Sequence, residues 1–465
     1  MKKSFYFIFI YLITLPAIAQ GITGQWNGIL KVQGTQLRLA FNISQTETGY
    51  SATMDSPDQK AIGIPVTTTT YENGTIKLAI PAASIAYEGI LSKDQVLIGT
   101  FSQGGMSVPM NLSREVKEKE KIVRPQEPIA PYPYYTEEVS FENSSAGITL
   151  AGTLSLPSKD GVYPAVILIS GSGPQNRDEE LLEHKPFLVL SDYLTKNGIA
   201  VLRYDDRGVA ASKGDFKSAT TADFAKDASA ALAYLRTRKE INTSKIGLAG
   251  HSEGGVIAPL IASTDKKVSF MVLLAGTGLP GDEVLLLQKA LIERAGGMIE
   301  SEIANGQKIN KGAFEIVKKA TTSSQVATDL DLYFQKIEKE NPTSGKEKEA
   351  KEQEFRTIKN QLSSPWMQYF IKYDPAIALE KVTCPVLAIN GSKDLQVPPN
   401  ENITAIGNAL AKAGDKKVTT QIIPNLNHLF QECTTGSPSE YADIEQTFSP
   451  MAMNTVLEWI QLQTK

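Results

Sequence analysis

The spacing of apolar residues changes character along the chain. Leu37, Leu39, Phe41 and Ile43 alternate with polar or small residues, and the same alternation returns at Ile76, Leu78, Ile80 and at Val108, Met110, Leu112. A period of two predicts half-buried strands with one face in a core. Gly and Asn turns such as Asn73-Gly74 separate the runs. Residues 20–115 are therefore expected to form a small all-β domain, an antiparallel sheet curled into a half-open barrel. Its aromatics Trp26, Tyr50, Tyr71 and Tyr87 read as core. Residues 114–121 are a charge run, and Pro125, Pro128, Pro131 and Pro133 follow closely. Residues 116–135 accordingly read as a charged, Pro-rich linker.

From residue 136 onward the pattern is different. Apolar runs suited to buried strands fall at 165–169, 200–203, 245–249, 270–275, 386–389 and 420–423, with helical stripes between them. Phe224, Ala228, Ala231, Leu232 and Leu235 make one stripe; Met453, Val456, Leu457 and Ile460 make another. Alternating strands and helices predict an α/β fold, a mostly parallel sheet flanked by helices, over residues 136–465. Residues 281–380 break the alternation, being charged and helix-rich without a strand signal. They are expected to form a helical cap inserted between two sheet strands. The cap's aromatic residues Trp366, Tyr369 and Phe370 are the candidate lining of a substrate pocket.

Residues 1–19 have the pattern of an address. Lys2 and Lys3 precede an eleven-residue apolar run, Pro16 breaks it, and Ala17-Ile18-Ala19 fits a signal-peptidase site. The run falls short of the about 20 apolar residues that a membrane span needs. The mature chain is expected to be exported, periplasmic or secreted, without a stable membrane anchor. Lys+Arg number 47 and Asp+Glu 51, for a net charge of −4, and removing Lys2 and Lys3 gives 45 − 51 = −6. No basic excess suits nucleic acid. Two cysteines exclude a disulfide framework and a four-thiolate zinc site. Cys384 and Cys433 are expected at opposite ends of neighbouring strands, roughly 20 Å apart, beyond disulfide reach. No metal or other cofactor is expected, and the oligomeric state is left open.

Gly250-His251-Ser252-Glu253-Gly254 fits G-x-S-x-G directly after the predicted strand 245–249. A sharp strand-to-helix turn would lift the Ser252 hydroxyl clear of the sheet, with small neighbours at 250 and 254. Serine needs a base, and the chain has three histidines. His251 is read as structural and His184 as a helix-surface residue. His428 follows the predicted strand 420–423, at the carboxyl edge where ligands bind in open α/β sheets, and is the expected base. Asp394 follows the strand 386–389 and is the expected acid, which would hold the tautomer of His428. The Ser252-to-Asp394 gap of 142 residues falls to about 42 once the insertion of about 100 is discounted. Oxyanion donors are expected from the N–H of Glu253 and from the loop 170–174, with Ser172 first and Gly171 second.

With these motifs in place, residues 136–465 resemble the α/β-hydrolase superfamily. Arg203-Tyr204-Asp205-Asp206-Arg207-Gly208 is similar to that family's R-x-D-x-R-G turn, and Gly171-Ser172-Gly173-Pro174 resembles the oxyanion loop of exported bacterial carboxylesterases of the EstD type, which carry an N-terminal β domain. Ala210-Ala211-Ser212 departs from the pattern, which usually has a second Gly before the Ser. The resemblance implies a cofactor-free serine hydrolase with Ser252 as nucleophile, His428 as base and Asp394 as acid. A small-molecule carboxylic ester is the expected substrate. The alternatives are a peptidase or acyltransferase of the same fold, or a glycan- or lipid-binding protein whose β domain delivers substrate.

Overall fold

The computed structural model describes residues 21–32, 35–103, 106–118, 123–414 and 417–465. The expected signal peptide lies outside these residues. Two compact units divide the chain between Lys121 and Ile122.

The first unit is all antiparallel β. Strands β1 (Gly24–Val32), β2 (Thr35–Thr46), β3 (Gly49–Ser56) and β4 (Ala61–Val66) form one meander. Strands β5 (Thr68–Glu72), β6 (Thr75–Ile80), β7 (Ile85–Leu91), β8 (Leu97–Gln103) and β9 (Met106–Pro109) form a second. The two sheets share a stitch: Asn27 bridges to Ser113, and Leu97 to Leu112. Trp26, Phe41 and Tyr87 fill the core between them. Trp26 is fully buried, its indole N–H donating to the Ile22 carbonyl at 2.7 Å, with the Arg114 guanidinium 3.8 Å over its ring. Tyr50 and Tyr71 are half-buried and meet edge to face.

The second unit is built on one eight-stranded sheet. Its strands are β10 (Tyr135–Asn143), β11 (Ile148–Leu156), β12 (Tyr163–Ile169), β13 (Ala200–Tyr204), β14 (Ile241–His251), β15 (Phe270–Leu274), β16 (Val386–Gly391) and β17 (Val418–Ile423). Their order is β10-β11-β13-β12-β14-β15-β16-β17. The first two pairings are antiparallel and the rest parallel. The central strands are apolar on both faces because helices cover both. Helices α1 (Pro186–Lys196) and α11 (Pro450–Thr464) cover one face. Helices α2 (Thr221–Leu235), α3 (Gly254–Thr264) and α10 (Pro399–Lys412) cover the other. A Thr220/Asp223 capping box starts α2.

Between β15 and β16 the chain leaves the sheet for helices α4 (Gly281–Ala295), α5 (Glu300–Lys319), α6 (Ser323–Glu340), α7 (Gly345–Leu362) and α8 (Pro365–Lys372). These have a core of their own, which includes Phe314, Val317, Leu330 and Ile371. The very polar α7 joins it through Phe355, stacked on Phe334 at 4.4 Å between centroids. The insertion ends earlier than the expected residue 380. Helix α9 (Ala376–Leu379) packs on α3 and α10, and Leu379 belongs to the core under the sheet.

The expected linker is narrower than 116–135. Arg124 is buried and donates to the carbonyls of Ile444 (2.6 Å), Ala442 (2.8 Å) and Leu182 (3.1 Å). Gln126 bonds both Thr447 and Phe448. A Pro-rich sequence with two well-placed polar side chains thus becomes part of the second unit. Arg124→Ala strands three carbonyls and should destabilise that unit by about 2–4 kcal/mol. Urea unfolding would show this as a fall in midpoint that Arg124→Lys restores only in part, since an ammonium lacks the planar fork.

Candidate active site

Strand β14 stops one residue before Ser252, and α3 begins two residues after it. Ser252 has φ of +52°, a strained left-handed backbone for a residue with a Cβ. A Cβ on Gly250 would lie 2.0 Å from the Gly254 carbonyl oxygen, and one on Gly254 would lie 2.1 Å from that of Ile169. Glycine at both positions is what permits the turn. Ser252 N–H donates to Leu274 O at 2.9 Å, tying the turn to β15, and the side chain is half-buried.

His428 and Asp394 meet beside this turn. His428 Nδ1 lies 2.8 Å from Asp394 Oδ2, and both residues are buried. Asp394 Oδ1 accepts from the N–H groups of Gln396 (2.8 Å) and Val397 (2.9 Å), so the carboxylate has no freedom to turn. With Nδ1 engaged, Nε2 is the His428 nitrogen left for a proton transfer. Ser252 Oγ forms no hydrogen bond among the described residues; such bonds often tighten only when substrate is bound.

The expected backbone donors differ in what they bond. The N–H groups of Glu253 and Ser172 donate to no other group among the described residues. Gly171 is different, which corrects its standing as a candidate donor: its N–H is used internally, donating to Glu179 Oε1 at 2.6 Å. Gly171 still sits against Ser252, since a Cβ there would come 3.1 Å from Ser252 Cβ.

The loop 170–179 is held by the Arg203–Gly208 turn. Asp206 accepts from Ser170 Oγ (2.8 Å) and Gln175 N–H (2.9 Å). Asp205 pairs with Arg177, which also reaches Glu138, and Arg203 pairs with Asp178. Arg207 clamps Asp227 on α2. The unusual Ala210-Ala211-Ser212 stretch still closes the turn. Ala210 takes a positive φ of 45°, and Ser212 Oγ donates to Asp205 O and accepts from Ala151 N–H. Burial pushes the Asp206 carboxyl up to about 8, with the nearby Glu253 and Glu179 carboxylates adding to the rise.

The Glu253 side chain is held by two donors. Thr221 Oγ1 (2.6 Å) and Trp366 Nε1 (2.7 Å) both donate to its Oε1, so Trp366 fastens α8 of the insertion to the turn that carries Ser252. Burial pushes the Glu253 carboxyl up to about 6. Trp366 stacks on buried Phe370 at 5.4 Å, and half-buried Tyr369 stacks on Tyr373 at 5.5 Å. Trp366 thus joins the site directly, while Phe370 backs it from within the insertion.

The other histidines are both buried. His251 Nδ1 lies 2.8 Å from Glu179 Oε1, and its Nε2 lies 3.0 Å from the His428 carbonyl. His184 is not on a helix surface. It precedes α1, is almost fully buried, and meets Thr447 Oγ1 (2.9 Å) and Tyr441 O (3.0 Å). Burial, then the Arg124 charge, push it down to about 4, so it is neutral at physiological pH. Among the described residues no group of three His, Cys, Asp or Glu side chains is arranged for a metal ion, and no helix is long and apolar enough to cross a membrane.

Residues 185–432, over half the chain, match the model of the serine aminopeptidase S33 family, Hydrolase_4. The chain belongs to this family. The S33 match spans Ser252, Asp394 and His428. The chain is also similar to Esterase EstD of Thermotoga maritima, at 27% identity over 301 residues, covering 64% of this chain and 62% of that protein. It therefore spans less than two thirds of that relative's length. Among solved structures it is similar to the α/β hydrolase GrgF from Penicillium sp. sh18, at 16% identity and a TM-score of 0.44, covering 71% of this chain and 99% of that one. Similarity to Est1E from Butyrivibrio proteoclasticus with ferulic acid bound is 17%, at a TM-score of 0.42, covering 70% and 99%. The sheet order and the family match establish the α/β-hydrolase architecture of this S33 member by themselves.

The raised Glu253 value has a testable consequence. A carboxyl held at about 6 rather than 4.5 contributes stability that is complete below the lower value and lost as pH rises through the higher. Glu253→Gln keeps an acceptor for Thr221 and Trp366 but removes the charge. Its stability relative to wild type should rise by about 2 kcal/mol between pH 4.5 and 7. Parallel urea midpoints for the two proteins across that range would contradict the assignment.

Proposed function

We propose that the chain is an exported serine carboxylic-ester hydrolase that works through an acyl-enzyme on Ser252. The observation that carries this reading is the buried His428–Asp394 hydrogen bond of 2.8 Å next to a serine with a left-handed backbone. Ser252 Oγ attacks the ester carbonyl carbon as its proton passes to His428 Nε2. The C–O bond to the alcohol breaks, and His428 returns the proton to the leaving oxygen. Water then attacks the acyl-enzyme with His428 again taking a proton, and Ser252 leaves with that proton as the acid is released. The N–H groups of Glu253 and Ser172 would receive the oxyanion in both halves. Asp394 keeps His428 in the tautomer that presents a bare Nε2 and stabilises the imidazolium.

The similarity to a protein called an esterase supports ester chemistry, and the positive, apolar and small-residue segments of residues 1–19 support export. The description of the family as serine aminopeptidases favours amide cleavage as the second reading, with the same groups in the same roles.

Fluorophosphonate labelling followed by assays on p-nitrophenyl esters of increasing chain length and on aminoacyl p-nitroanilides tests both. Ester turnover is expected to dominate, and faster anilide turnover would overturn the ester reading in favour of the peptidase. Ser252→Ala should abolish labelling and lower kcat by about 10³-fold or more. Unchanged turnover in that variant would remove Ser252 as nucleophile.

A further inference from the structure

The mechanism leaves one buried ion pair beside the nucleophile without a role. Glu179 and His251 are both buried, on different elements, and neither has a part in the chemistry above. A single oxygen, Glu179 Oε1, receives the Gly171 N–H at 2.6 Å and meets His251 Nδ1 at 2.8 Å. The opposite ring nitrogen, His251 Nε2, meets the backbone carbonyl of His428 at 3.0 Å. The two imidazole rings of His251 and His428 lie 4.8 Å apart.

Donor arithmetic fixes the protons. A carbonyl can only accept, so His251 Nε2 carries a hydrogen. The contact between Nδ1 and Oε1 then needs one further proton between the two atoms, because two bare lone pairs would repel. The pair therefore holds one shared proton and is neutral as a unit. Burial pushes His251 down, but the Glu179 carboxylate, the His428 carbonyl and the Asp394 charge outweigh it and hold the ring above its ordinary value. The shared proton is thereby drawn toward the ring. Glu179 itself has φ of +51°, a backbone cost borne at the position that makes these two contacts.

We propose that Glu179 is a positioning residue: one carboxylate oxygen fixes the loop that presents the Ser172 donor and, through the His251 ring, the backbone that carries the base, on either side of Ser252. This rests on the roles proposed above for Ser252, Ser172 and His428. Glu179→Gln forces a choice. A neutral His251 that donates from Nε2 turns a bare Nδ1 to position 179; an amide N–H turned to meet it takes the acceptor away from Gly171. One of the two backbone segments is released, and misplacement on this scale costs up to about 100-fold in rate.

The test uses the full-length protein with ¹⁵N-labelled histidine, whose three imidazoles give a sparse spectrum. Above the ordinary imidazole value of 6.5, His251 Nε2 should carry a proton and Nδ1 should hold or share one with position 179; an Nδ1 with no hydrogen-bonded proton there overturns the proposal whether or not the variant folds. The groups that bear on this titration are Glu179, His428 and Asp394 around the ring, and Asp206 facing Glu179. Glu179→Gln should lower kcat by about 10- to 100-fold with KM within about twofold, and lower the fluorophosphonate labelling rate in parallel. A variant with wild-type kcat and labelling sinks the positioning role while leaving the hydrolase reading intact. A wild-type protein that neither labels at Ser252 nor turns over ester or anilide sinks the hydrolase reading, and the ¹⁵N spectrum then decides the ion pair by itself.

Discussion

The left-handed backbone at Ser252 is the constraint on which the rest of the site depends. Such a turn is strained for serine, and it survives because the structure on every side over-determines it. Glycines at 250 and 254 let α3 approach the end of β12 to a distance no side chain would allow. The Ser252 N–H is held by β15. Once the turn is fixed, the carboxyl ends of β12, β14 and β16 and the loop after β17 open on one edge of the sheet. The parallel order makes this automatic: every strand that carries a site residue ends on the same side.

The helical insertion is attached to that turn by a bond whose two ends the chain keeps 113 residues apart. Helices α4 to α8 have their own core, so their internal packing does not depend on the sheet. What ties them to the turn is Trp366, bonded to Glu253, the residue that follows Ser252. Movement of α8 would therefore be felt at the backbone of Glu253. A carboxyl with a value of about 6 at that joint makes the attachment sensitive to charge in a way that an apolar contact would not be.

Much of this was legible in the sequence because it is written in short-range pattern. The strand runs at 165–169, 245–249, 270–275 and 386–389, the pentapeptide around Ser252, and the loop positions of Asp394 and His428 all follow from period and punctuation. What was hidden depends on long-range partners. Nothing local marks Arg124 as the anchor of three carbonyls from two distant segments, or His184 as a buried clamp rather than a helix-surface residue. Glu179 sits in a polar stretch, Asp178-Glu179-Glu180, that reads as solvated. Gly171 could be told from Ser172 as a donor only by finding where its N–H goes. The Arg203–Gly208 motif could be recognised, but not its work of gripping the loop 170–179 through Asp205, Asp206 and Arg203.

The density of buried acids poses a physical problem for an oxyanion reading, and its resolution unifies the site. Asp206, Glu179, Glu253 and Asp394 all lie in or around the cluster that encloses Ser252. Four bare carboxylates in a medium of low dielectric would oppose a developing negative charge by several kcal/mol. Three of them are neutralised, each by a different device. Asp206, at about 8, carries a proton at neutral pH. Glu179 is matched by the His251 ring. Asp394 is matched by His428, which becomes an imidazolium at the moment the proposed oxyanion forms. Glu253, at about 6, is ionised at neutral pH with no cationic partner among the described residues, its side chain held instead by the neutral donors Thr221 and Trp366. The acids that hold the loops in place are thus protonated, matched by an imidazole or engaged by neutral donors, which is the condition under which backbone N–H groups can stabilise an anion there.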